Sequence, residues 1–325
     1  MIIGEGRSRM VGEIQNIPKT RFLITGGQGM LGQAFAELLQ RYSPQCEVRA
    51  LGKDALDVSR NDQVTSHADW VKGGWIVHCA ALVNVEGCAK DPDLARATIV
   101  QGTRNIVQLA GNARARIFYP QSFLIYDGQA NPIAEDFPPS PLSLYGNLKA
   151  EAESVILNAD TASLVVRMAG FFGGEARDKN FVGKLIPNLA NLIRKGEASF
   201  SVGDRVWQPT WTNDLALNSL GLIARNKSGV YQMACHGEAS FFELTLAVVE
   251  ELGWDRAIKI KKVPLGEVSK HELGGRPVKA VLSCTRLQQE ALDIQRPWRD
   301  ALREYLCSAY FDQFRHVQRA SSPVA

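Results

Sequence analysis

The apolar positions of this chain switch repeatedly between two periods. Four consecutive residues, 22–25, read as a short buried strand, and from 30 to 39 the apolar residues Met30, Leu31, Phe35, Leu38 and Leu39 fall at helical spacing. The alternation continues. Short apolar runs at Glu47–Leu51, Trp75–His78, 117–119 and 163–166 predict strands, and 61–71, 94–112 and Leu144–Leu157 predict the helices between them. Such an order predicts a parallel sheet with helices on both faces, and ligands at the carboxyl ends of its strands. Beyond Arg167 the pattern loosens. It predicts helices at 181–193 and 213–224, a strand at 200–202, and a strand at 230–233 that can return to the first sheet. Amphipathic helices are predicted at 241–252 and 298–311. The expected architecture is α/β: a Rossmann-type doubly wound parallel sheet with a smaller, discontinuous C-terminal substrate domain. Residues 20–169 and 205–235 would form the dinucleotide-binding domain, and 170–204 with 236–312 the substrate domain. Residues 1–19 read as an extension, partly disordered, and 313–325 as a loose polar tail.

Composition narrows the classes. The chain has 325 residues, enough for one large domain or two smaller ones, and 45% of them are apolar. A net charge of +3 gives no reason to expect a nucleic-acid or membrane partner. Six cysteines (46, 79, 88, 235, 284 and 307) are scattered without a C-x-x-C pair, which points to free thiols in a reducing compartment and to no metal site. The longest apolar stretch, 75–83, is too short to span a bilayer, and the first twenty residues lack a secretory signal, so a cytoplasmic location is expected.

The chemistry begins after the first strand. Gly26-Gly27-Gln28-Gly29-Met30-Leu31-Gly32 places glycines at a strand-to-helix turn, where the backbone can approach a pyrophosphate and the helix N-terminus can face it. Gly26, Gly29, Met30 and Leu31 are therefore candidate cofactor contacts. A glycine triplet alone is often only a tight turn. Tyr145 and Lys149 supply the second half: four apart, they share a helix face, and an ammonium there is expected to lower the tyrosine pKa and to hold the nicotinamide ribose. Ser122, at the end of a predicted strand, can orient a substrate carbonyl. Ser122, Tyr145 and Lys149 are the candidate catalytic residues, with Tyr145 as proton donor. Lys53 and Asp54 follow the second strand, where an acid serves a free ribose and a cation a ribose phosphate; Lys53 tips the expectation to NADP(H) over NAD(H).

With these motifs the chain resembles the extended short-chain dehydrogenases/reductases, and more narrowly the dTDP-4-dehydrorhamnose reductase group. The resemblance runs from about residue 20 to 311. It is carried by Leu56-Asp57-Val58, Val77-His78-Cys79-Ala80-Ala81, Tyr126-Asp127-Gly128, Pro141-Leu142-Ser143-Leu144-Tyr145-Gly146, Asn180-Phe181, Gln208-Pro209-Thr210, Arg276-Pro277 and Trp298-Arg299-Asp300. It implies that Asp57, Val58, Ala80 and Ala81 line the cofactor site with Tyr145 and Lys149. It implies that Val85, Ser122, Phe123, Tyr145, Gly170, Asn180, Gln208 and Arg276 face the substrate. The implied activity is an NAD(P)H-dependent reduction of a keto group on a nucleotide-linked sugar, by a monomer or homodimer acting on a small molecule. The same residues would serve a nucleotide-sugar epimerase. The chain also resembles the regulatory beta subunit of methionine adenosyltransferase, which implies a non-catalytic NADP-binding role as an alternative. Departures fall in the pocket. Gln121-Ser122-Phe123-Leu124 stands where the group usually has Ser-Thr-Asp-Tyr, Gly170 where it has tryptophan, and Gly87 where it has lysine. The expectation is a kept catalytic set in an altered sugar pocket. His271-Glu272 lacks the second histidine of a zinc-protease helix, and Lys259, Lys261 and Lys262 read as the exposed face of a strand.

Overall fold

The computed structural model describes residues 2–268, 272–315 and 317. His271 lies outside the described residues. Six strands form one sheet: β1 (Arg21–Thr25), β2 (Glu47–Leu51), β3 (Trp75–His78), β4 (Arg116–Ser122), β5 (Ser163–Met168) and β6 (Gly229–Met233). Every neighbouring pair is parallel, and the order is β6-β5-β4-β3-β1-β2. The chain therefore reverses its direction of travel between β1 and β3, which opens a crevice at their carboxyl ends.

Because side chains alternate across a strand, the sheet has two buried faces. Phe22, Ile24, Trp75, Val77, Phe118, Leu164 and Val166 pack on one side. Leu23, Ile76, Ile117, Tyr119 and Val165 pack on the other. The principal helices are α1 (Ile2–Gln15), α2 (Met30–Tyr42), α3 (Gly102–Ala113), α4 (Leu144–Leu157), α5 (Phe181–Arg194), α6 (Thr212–Ala224), α7 (Phe241–Glu251) and α8 (Trp298–Leu306). α1, α2 and α6 cover the first face, α3 and α4 the second. A separate apolar core joins α5, α7 and α8 with Trp207 and Trp254. There the strand Lys259–Lys262 pairs with Ser199–Val202; Ile260 turns inward and the three lysines are exposed. No helix among the described residues is long and apolar enough to cross a membrane.

Several expectations are corrected. The first residues are not a disordered extension: α1 buries Met10 and Ile14, and Glu13 pairs with Arg225 at 2.5 Å. Gly221 on α6 makes room for it, since a Cβ there would strike the Met10 sulfur. The start of the expected tail holds a short helix, Asp312–Arg315, in which Phe314 is buried and its carbonyl accepts a bond from Trp254 Nε1 at 3.1 Å. The helix expected at 61–71 is two pieces, Asn61–Thr65 and Ala68–Val71. The one expected at 94–112 is Pro92–Arg96, a π-helical segment Ala97–Gln101, and α3. That wide turn sets Gly102 on Val58, where a Cβ would come within 2.8 Å of the valine Cγ2.

Candidate active site

The turn after β1 is built from glycine because nothing larger fits. Gly26 has φ +64°, and a Cβ on it would lie 2.8 Å from the Ala80 nitrogen. A Cβ on Gly27 would meet the Ala50 carbonyl carbon at 2.6 Å. Gly27 N donates to Leu51 O, and Gly29 N to Gly26 O, each at 2.9 Å, so the turn closes on itself and is tied to β2. Gly29 caps α2 without a side-chain hydrogen bond, which leaves the helix's first N–H groups to an anion in the crevice. This close-backbone cradle at an uncapped helix start fits the pyrophosphate of a nicotinamide dinucleotide.

Around it, Ala80 N donates to Thr25 Oγ1 at 3.2 Å, and His78 bridges Thr25 Oγ1 (2.8 Å) and Thr103 Oγ1 (3.2 Å). Burial drives the His78 pKa down to about 3, so this ring is a neutral brace. Ala80 and Ala81 are half-buried at the crevice, and Val58 lies beneath Gly102. The Asp57 carboxylate is already engaged: its Oδ1 accepts from Ser59 Oγ at 2.7 Å and Ser59 N at 3.0 Å, and these bonds, the hydroxyl first, hold its pKa low. Lys53 and Asp54 are both exposed. Gln28, which no sequence signal marked, covers the end of β2: a Cβ on Gly52 would overlap its side-chain amide.

The catalytic candidates meet at the end of β4, where three consecutive residues grip α4. The Pro120 carbonyl accepts from Lys149 Nζ at 2.9 Å. Gln121 Nε2 donates to Lys149 O at 2.8 Å, while its Oε1 accepts from Ser122 N at 2.8 Å. Ser122 lies close enough to the Tyr145 hydroxyl to lower its pKa. Ser143 caps α4 by accepting from Gly146 N at 3.1 Å. Gly146 must be glycine, because a Cβ would run into the Leu124 carbonyl. Gln121 is thus a positioning residue that sequence reading missed.

The electrostatics correct one expectation. Burial pushes the Tyr145 phenol up to about 12, and the group that pulls it back is Ser122, not Lys149. The ammonium is directed elsewhere, at Pro120 O and 3.8 Å over the Tyr119 ring. Burial also takes Lys149 down to about 7, against the upward pull of Glu153. Tyr145 is therefore protonated at neutral pH, as a proton donor requires. Lys149 sets a pH dependence. Its folded pKa lies below the 10.5 of a free lysine, so between about 7 and 10.5 the unfolded chain binds more protons. This group makes stability rise with pH across that window. Urea midpoints at pH 7 and pH 9 should differ more for the parent protein than for Lys149→Met; equal slopes would remove Lys149 as the source.

The substrate-side candidates do not stay together. Val85 is buried against the Gly274 backbone, and Phe123 lies against Gly170. Gly170 lies under the Trp207 ring, so the tryptophan missing at 170 is replaced in space by one from position 207. Trp207 meets Phe241 edge-on at 5.4 Å between centroids, and Phe241 stacks on Phe181 at 4.3 Å, extending an aromatic wall. Gln208 is engaged by backbone. Its Oε1 accepts from Leu282 N at 2.7 Å and its Nε2 faces the Leu282 and Cys235 carbonyls at 3.3 and 3.4 Å, so it fastens one loop to another. Asn180 Nδ2 donates to Phe171 O at 2.9 Å and lies 3.8 Å from the Met30 sulfur at the start of α2. Arg276 is held by Glu86 at 2.6 Å, and Lys262 pairs with Asp204 at 3.4 Å. Among the described residues no group of three or more His, Cys, Asp or Glu side chains could hold a metal ion.

Residues 20–311 match the family model described as the RmlD substrate binding domain. A probable dTDP-4,6-dihydroxy-2-methyloxan-3-one 4-ketoreductase of Streptomyces antibioticus is 32% identical over 289 residues, covering 87% of this chain and 94% of that protein. The crystal structure of a dTDP-4-dehydrorhamnose reductase from Clostridium acetobutylicum superposes with a TM-score of 0.81 at 28% identity, covering 88% of this chain and 98% of that one. Methionine adenosyltransferase 2 subunit beta of Bos taurus is 26% identical over 324 residues, 95% of this chain and 93% of that protein.

Proposed function

This chain belongs to the RmlD substrate binding domain family, and from that premise we propose that it is a nicotinamide-dinucleotide-dependent reductase of a keto group on a dTDP-linked or similar nucleotide sugar. One observation carries the reading: Tyr145 is buried, Ser122 lies close enough to act on its phenol, and Lys149 on the same helix reaches the end of the Ser122 strand. The bound nicotinamide supplies the hydride. The chain's own residues do the rest. Gly26, Gly29 and the start of α2 seat the pyrophosphate. Ser122 orients the carbonyl, and the Tyr145 hydroxyl donates the proton that the new alcohol requires. Lys149 fixes the ribose and is itself positioned by Pro120 and Gln121. Phe123, Leu124 and Trp207 present an apolar sugar pocket.

The test is NADPH oxidation by the purified protein with a panel of 4-keto dTDP sugars. Turnover of at least one is expected. A protein that binds the dinucleotide yet reduces none of them, and instead captures a stoichiometric enzyme partner, would support the binding-subunit reading favoured by the similarity to methionine adenosyltransferase 2 subunit beta. For the cofactor we propose NADP(H), on the exposed Lys53 ammonium at the end of β2. Lys53→Glu should shift the ratio of NADPH to NADH affinity toward NADH by about tenfold; an unchanged ratio removes Lys53 from cofactor choice.

A further inference from the structure

Charged side chains meet where the 273–277 strap crosses the start of the Val85–Lys90 helix. Arg205 is buried and grips both oxygens of Glu272, at 2.9 Å each. Arg276 lies between two carboxylates. Its Nη2 donates to Glu86 Oε1 at 2.6 Å, and its Nη1 is 3.6 Å from Glu272 Oε2. The two arginines are not equivalent. The Arg205 side chain is 8% exposed in a two-bond fork; Arg276 and Glu86 are 20% and 34% exposed. Lys184 on α5 also acts on the Glu86 charge. Three cations (Arg205, Arg276, Lys184) therefore face two carboxylates (Glu86, Glu272).

The cluster stands at the substrate end of the catalytic helix. A Cβ on Gly274 would come 2.6 Å from Val85 Cγ1 and 3.4 Å from Ser143 Cβ, and one on Gly275 would come 2.7 Å from Leu142 O. Ser143 is the cap of α4, two residues before Tyr145. The strap thus lies along the mouth of the crevice, and its solvent-reachable cation already has an anionic partner.

A nucleotide sugar whose keto group sits at Tyr145 brings a diphosphate to this mouth. A diphosphate added to a guanidinium that already lies between Glu86 and Glu272 raises the like-charge repulsion there, and Glu86, the more exposed of the two carboxylates, is the one free to leave. We propose that Glu86 is an exchangeable counter-ion: it holds Arg276 and the strap in register until the substrate diphosphate takes the guanidinium. Glu272 remains with Arg205, and Glu86 is left to Lys184 and water. This rests on the nucleotide-sugar reading above.

The exchange has an unusual sign, because losing an acidic residue improves binding. The full chain is titrated calorimetrically with dTDP as parent, Glu86→Gln, Arg276→Gln and the double variant, with NADPH affinity as the control for folding. Glu86→Gln should bind dTDP about fivefold more tightly, and Arg276→Gln at least about tenfold more weakly. In the Arg276→Gln background, Glu86→Gln should give no gain. If Glu86→Gln weakens or does not change dTDP binding, the pair is a fixed strut and the proposal is overturned. A gain that persists without Arg276 overturns it too, since the effect is then the general field of one fewer negative charge. A parent protein that does not bind dTDP sinks the nucleotide-sugar reading itself, and this inference with it.

Discussion

Tyr145→Phe is expected to lower kcat for keto-sugar reduction by about 1,000-fold, with cofactor affinity changed by no more than about threefold. The hydroxyl is the only atom removed. The ring belongs to the apolar core under α4, so phenylalanine keeps the packing and the fold. What is lost is a donor that burial holds protonated at about 12 beside Ser122. Among the described residues no other group is placed to replace it. Ser122 is a poorer acid, and Lys149 is turned toward Pro120 O and the Tyr119 ring. Because the phenol keeps its proton throughout the neutral range, the reduction rate should show no tyrosine limb between pH 6 and 9. Stopped-flow NADPH oxidation in single turnover isolates the chemical step. A variant that retains the parent rate would refute the proton-donor assignment.

The largest stability effect is expected behind that site. Glu153, one helical turn beyond Lys149, forms a buried pair with Arg167 on β5. Nη2–Oε1 is 2.5 Å, and the side chains are 4% and 7% exposed. Arg167 also donates to Tyr126 Oη at 2.7 Å and to Glu135 O at 2.8 Å, so its guanidinium fastens α4, β5 and the 126–135 loop together. Glu153→Ala leaves that cation buried without a counter-charge and should cost about 3–5 kcal/mol in urea unfolding. Replacing both partners by apolar residues, Glu153→Leu with Arg167→Met, should recover most of the loss, because no charge is then left desolvated. Equal destabilisation by the single and double variants would show that the pair acts through packing alone. Loss of Glu153 also removes the group that supports the Lys149 ammonium, so the single variant should weaken NADPH binding as well as stability.

Sequence periodicity read the sheet well because strands and helices are short-range objects. The helix carrying Tyr145 was expected at Leu144–Leu157, and that is its extent, since the Ser143 cap and the apolar repeat are local. The return of β6 beside β5 followed from one apolar run. α1 was not legible. It buries few residues, and its Arg7 and Glu13 pair with Asp214 and Arg225, more than 200 positions away. The π-helical segment at Ala97–Gln101 was hidden because its neighbours on both sides have the same helical pattern.

By itself the chain's order of residues determined the two-faced parallel sheet, the glycine turn and the Ser122, Tyr145 and Lys149 set, all of which depend on spacing within one strand, turn or helix. Tertiary structure decided which polar groups remain free for chemistry. Gln208 and Asp57 are consumed by Leu282 and Ser59, the Lys149 charge faces Pro120, and Trp207 fills the space above Gly170. The physical reason is that a side chain's availability and pKa depend on burial and on whatever partner the fold brings to it, and such partners sit at no fixed distance along the chain.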